Sequence, residues 1–79
     1  RSPENEAFMA RLIGGLAAEA GLRPLDRSGA EAAVERAARL AEDASKLSLL
    51  TEHMHDLITE ADHWAAAAGR EAIGREDVE

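Results

Sequence analysis

Residues 49–68 read LLTEHMHDLITEADHWAAAA, and the fold turns on how they are arranged. Leu50, Met54, Leu57, Ile58, Ala61, Trp64, Ala65 and Ala68 recur three, four and seven residues apart, the spacing that stacks side chains on one face of a helix. Gly69 follows, a residue that enters the left-handed conformation closing a helix without a Cβ penalty. The pattern predicts a long helix over 49–68, with Ser48 as its cap.

Upstream, Ser2-Pro3-Glu4 gives a cap, a first-turn proline and an acid at the positive end of a helix dipole. A helix over about 3–20 is predicted, burying Phe8, Leu12, Ile13, Leu16 and Ala20 and closing at Gly21. Gly14 and Gly15 inside it cost about 1 kcal/mol each relative to Ala, a cost that close packing of another helix would explain. Leu22-Arg23-Pro24-Leu25 is a loop or an edge strand of two or three residues. A second helix opens at Asp26-Arg27-Ser28, with Ser28 and Glu31 at capping-box spacing and Val34, Ala37, Ala38, Leu40 and Ala41 on its apolar side. Downstream of Gly69, Arg70–Ile73 is suited to a short second strand, and Gly74-Arg75-Glu76-Asp77 begins a fourth helix.

The composition agrees with a mainly α domain. Eighteen of 79 residues are Ala, Phe8 and Trp64 are the only aromatics, and there are two valines, so helix is favoured and an extensive sheet is not. With no cysteine, disulfides, thiolate metal sites and cysteine nucleophiles are excluded. Sixteen acidic against nine basic residues leave a net charge of −7, the wrong sign for a phosphate-binding surface, so nucleic acid is an unsuitable partner. No apolar run reaches the roughly 20 residues of a membrane span. The chain begins without Met and stops just after a helix start, and it reads as one domain, 1–79, excised from a longer protein.

Candidate chemistry is sparse. Glu52 with His55 and Glu60 with His63 form two Glu-x-x-His pairs. Helix-bundle dimetal sites draw such pairs from different helices. Here both lie on one helix, rotated by about 80° from each other, so one ion cannot use both and no metal site is expected. Gly14-Gly15 lacks the phosphate-loop spacing. Lys46 and Ser48 lie in an exposed connector, without the burial that activates a lysine, so no catalytic residue is assigned.

Several strings in order resemble the small helical lid subdomain of the AAA+ module in Lon-like proteases, of the B-type and C-type branches. They are Pro3-Glu4-Asn5, Pro24-Leu25-Asp26-Arg27-Ser28, Ala38-Arg39-Leu40-Ala41, Lys46-Leu47-Ser48, Asp56-Leu57-Ile58-x-Glu60-Ala61-Asp62-x-Trp64-Ala65, Gly69-Arg70 and Glu76-Asp77-Val78. The resemblance implies a four-helix lid with room for two very short β-strands. It further implies a large nucleotide-binding subdomain and a Ser-Lys peptidase domain elsewhere in the chain, ATP and Mg²⁺ as cofactors of an active parent, a cytoplasmic homo-hexameric chamber and unfolded protein as substrate. Family members place an Arg near the start of the third helix to reach the nucleotide phosphates, which its charged fork suits. The corresponding positions here are Leu50 and Glu52, neither basic, which resembles the degenerate modules of C-type relatives that cleave without ATP. Two other readings fit the element order: an acidic histone-fold-like scaffold, and a helical module whose apolar groove takes a partner helix.

Overall fold

The computed structural model describes residues 3–43 and 45–79. Four helices follow in order: α1 (Pro3–Glu19), α2 (Arg27–Asp43), α3 (Leu47–Ala67) and the single turn α4 (Arg75–Val78). The first three pack on one another, and α4 lies against α2 and α3. The two expected strands reduce to one parallel bridge between Leu25 and Ile73, with the Ile73 N–H donating to the Pro24 carbonyl (2.8 Å) and the Asp26 N–H to the Ile73 carbonyl (2.9 Å).

Gly21 and Gly69 end their helices as the sequence predicts, with φ of 70° and 76°. Each termination is doubly bonded: Gly21 N–H reaches the Ala18 carbonyl and Leu22 N–H that of Ala17, while Gly69 and Arg70 reach Ala66 and Ala65 in the same way. These bonds satisfy carbonyls that a helix end otherwise leaves open.

The helix starts differ from the sequence reading. The Ser2 cap lies outside the described residues. At α2 the cap is Asp26, whose Oδ1 accepts the Gly29 N–H and the Ser28 hydroxyl, both at 2.8 Å. The expected Ser28–Glu31 box gives way because Ser28 Oγ accepts the Arg75 N–H across the fold at 3.1 Å. α3 begins two residues early, with Lys46 at its N-cap and no side-chain cap bond, so Ser48 lies inside the helix.

The core is split in two. The first cluster joins Ile13 and Ala17 of α1, Ala33, Val34 and Ala37 of α2, and Leu50, Met54 and Ile58 of α3. The second joins Ala32, Ala61, Ala65, Ile73 and Val78. Leu25 and Leu57, both half-buried, pack against each. Phe8 and Trp64, expected inside, are 58 % and 53 % exposed. α2 meets its neighbours through the small side chains of Ala32, Ala33, Val34 and Ala37. The seam of α1 therefore runs through Met9, Ala10, Ile13, Leu16 and Ala17. Gly14 and Gly15 are exposed with open space where a Cβ would sit, so packing within this chain does not account for them.

Candidate functional site

Leu50 and Glu52 lie in the first turns of α3. Two positions turn a helix by about 200°, so the two side chains face apart. Leu50 is committed to the first core beside Met54, Val34 and Ile13. Glu52 is exposed and borders a shallow depression of about 340 Å³ with Leu16, Thr51, His55 and Asp56. Two carboxylates and one imidazole line this depression, and Thr51 has its hydroxyl turned back to the Leu47 carbonyl (3.0 Å). No guanidinium or ammonium group lines it. A triphosphate meeting Glu52 and Asp56 there would face like charge.

His53, His55 and His63 are all exposed on α3. His63 meets the Trp64 ring edge-on, and His55 approaches Asp56 at 3.8 Å. Among the described residues no group of three or more His, Asp or Glu side chains is placed to hold a metal ion.

The densest polar constellation lies elsewhere, where the α1–α2 loop meets the α3–α4 loop. Arg23 donates its backbone N–H (2.9 Å) and its Nη1 (3.1 Å) to Asp62 Oδ1, and its Nε to the Arg70 carbonyl (3.1 Å). Arg70 Nη2 pairs with Asp77 Oδ1, while Asp77 Oδ2 accepts the Gly74 N–H at 2.9 Å. The Asp77 side chain is 1 % exposed. Arg75 donates two bonds to Glu35 of α2, at 3.1 and 3.2 Å, and one to Glu79 at 3.1 Å.

Donors aimed at carboxylates stabilise their charged forms. The Gly29 N–H, and after it the Ser28 hydroxyl, hold Asp26 below its ordinary value. The Arg23 backbone N–H does the same for Asp62. Glu35 first, and then Glu79, raise Arg75 further. Gly29 is the close-approach point of this region, because a Cβ there would run into the Ile73 carbonyl oxygen. Sequence spacing does not reveal these partners: Arg23 and Asp62 are 39 positions apart, Ser28 and Arg75 47.

Three packed helices and a tied-down fourth turn, with the polar groups spent on loop-to-loop bonds, define a helical subdomain whose described residues hold no assembled catalytic group. Residues 24–79 match the lid domain of the archaeal LonB AAA+ ATPase, and the chain belongs to that family. The matched stretch holds α2, α3, α4 and the bridge, and leaves α1 outside it. Neither the curated proteins nor the solved structures contain a match to this chain. No helix among the described residues is long and apolar enough to cross a membrane.

Proposed function

We propose that this chain is the AAA+ lid of a Lon-like Ser-Lys protease in which the coupling between nucleotide and lid has been lost. The lid packs on the large nucleotide-binding subdomain of its own chain and serves as a structural part of a homo-hexameric, cytoplasmic chamber that degrades unfolded protein. One observation supports this reading: of the two positions that the resemblance sets against the family's phosphate-reaching arginine, one is a core leucine and the other an exposed carboxylate. Neither fits a nucleotide phosphate, since Leu50 offers no donor and Glu52 adds negative charge beside Asp56.

Without a cation there, ATP binding gains nothing from lid closure, and a ligand that does not distinguish two states cannot shift their populations. The parent then cleaves loosely folded chains that reach the chamber unaided. The test is casein cleavage by the full parent protein with and without ATP and Mg²⁺, with phosphate release followed in the same tubes. Cleavage at the same rate in both, without phosphate release, is expected. ATP-stimulated cleavage with turnover would sink the reading. Glu52→Arg adds a second arm, in which a restored cation raises nucleotide affinity.

A further inference from the structure

Packing within the chain leaves one feature of α1 and one of α3 unexplained. On α1, Phe8, Leu12 and Leu16 follow at four-residue steps, which set them along one stripe of the helix. Phe8 and Leu12 belong to neither core cluster, Phe8 is 58 % exposed, and Leu16 touches the first core only from its edge. An apolar stripe outside the core seam is a second surface that gains from burial.

On α3, four acids stand without one Lys or Arg. Asp62 is answered by Arg23. Glu52, Asp56 and Glu60 follow at four-residue steps, where like charges repel, and among the described residues no Lys or Arg lies within ion-pair distance of any of them. The two features meet at the depression of about 340 Å³, where Leu16 ends the stripe and Glu52 and Asp56 stand at the rim. Thr51 spends its hydroxyl on the Leu47 carbonyl, so the floor offers carbon and the rim negative charge. That combination suits Lys or Arg, whose aliphatic stem covers apolar surface while its cationic head stays among carboxylates. An acidic segment is repelled by the same rim. A second copy of this chain is a poor occupant, since a net charge of −7 on each sets like against like.

We propose that this face, Phe8, Leu12 and Leu16 with Glu52 and Asp56, ties the lid to the large nucleotide-binding subdomain of its own chain through a Lys or Arg of that subdomain seated between the two carboxylates. The inference rests on the reading of the chain as an uncoupled lid. Where the resemblance sets a cation directed at nucleotide, this chain has a carboxylate directed at protein, and the tie holds with the nucleotide site empty.

The test is photo-crosslinking in the purified full parent protein, without nucleotide or substrate, with benzoylphenylalanine in place of the exposed Phe8. The expected product keeps the mass of one chain on a denaturing gel, and its peptide map joins α1 to a segment of the large subdomain that carries Lys or Arg. Glu52→Gln together with Asp56→Asn, both at exposed positions, should lower the yield about fivefold. Raising NaCl from about 0.05 to about 0.5 M should lower it in the wild type and leave the neutral variant unchanged. A product with the mass of two chains, a joined segment elsewhere or without Lys or Arg, no product, or a yield indifferent to the two carboxylates would overturn the proposal. ATP-driven cleavage with phosphate release would sink the uncoupled reading while leaving the crosslink in place, so the two failures are told apart.

Discussion

Two faces of α2 are held by different physics. One meets α1 and α3 through Val34, Ala37, Leu50, Met54 and Ile58, contacts that depend on area and tolerate imperfect fit. Cavities of about 540 and 140 Å³ flank the start of α1 where it crosses Val34. Its other face meets the start of α4 at Ser28 and Glu35, through bonds to Arg75 within 3.2 Å, and Gly29 lies against the Ile73 carbonyl. Where side chains are too small to supply area, hydrogen bonds and ion pairs set the geometry, and a single added carbon is felt. Apolar area carries stability in the first region, while hydrogen-bond geometry carries position in the second.

The largest effect should come from the first region. Ile58→Ala, at a fully buried side chain, is expected to cost about 2–5 kcal/mol, read as a fall in the urea midpoint of the domain. A loss below about 1 kcal/mol would mean that the first core does not carry the fold. Gly29→Ala tests the second region, since the new methyl must displace the Ile73 carbonyl. About 1–3 kcal/mol is expected, with backbone shifts at residues 72–75 visible in amide chemical shifts. A neutral outcome would show that the corner is compliant.

Gly15→Ala sharpens the contrast by reversing the sign. The position is helical, exposed and open, so Ala should stabilise by about 0.5–1 kcal/mol. Destabilisation measured by thermal unfolding of the parent would place another body against that face. The smallest expected effect is that of acid on the loop-to-loop bonds. Asp26 and Asp62 titrate below their unfolded values, so their contribution is complete above the ordinary carboxylate pKa of about 3.9 and is lost as pH falls through the lower folded values. Stability should be flat in these groups from pH 7 to 5 and decline below about pH 4. Asp62→Asn should flatten that decline by about 0.2–1 kcal/mol, as urea midpoints across pH would show. An unchanged acid limb would remove Asp62 from the account.

Local physics was readable from the sequence. The periodicity of 49–68 places α3 within two residues at its start and one at its end, and Gly21 and Gly69 close their helices because a left-handed residue there needs no Cβ. The spacing gives the second helix start but points to Ser28 as its cap, where the structure has Asp26. A hydroxyl's choice between its own helix and the Arg75 N–H depends on a segment 47 residues away. Phe8 and Trp64 follow the helical period yet sit outside, since the period marks a face and cannot say whether the opposite helix leaves a hole there. For the candidate site, the resemblance points to Leu50 and Glu52. That Leu50 is tied into the core, and which groups surround Glu52, depended on how α1 lies against α3.

The bridge between Leu25 and Ile73 also has a mechanical reading. Because the two segments run parallel, the chain passes this corner twice in the same sense, once on its way into α2 and once on its way into α4. Tension applied through residues 24 and 74 loads the two bonds at Ile73 together, in shear, where an antiparallel pair would peel one bond at a time. One bridge of this kind couples the starts of α2 and α4, so that a displacement of either loop is felt by both helices.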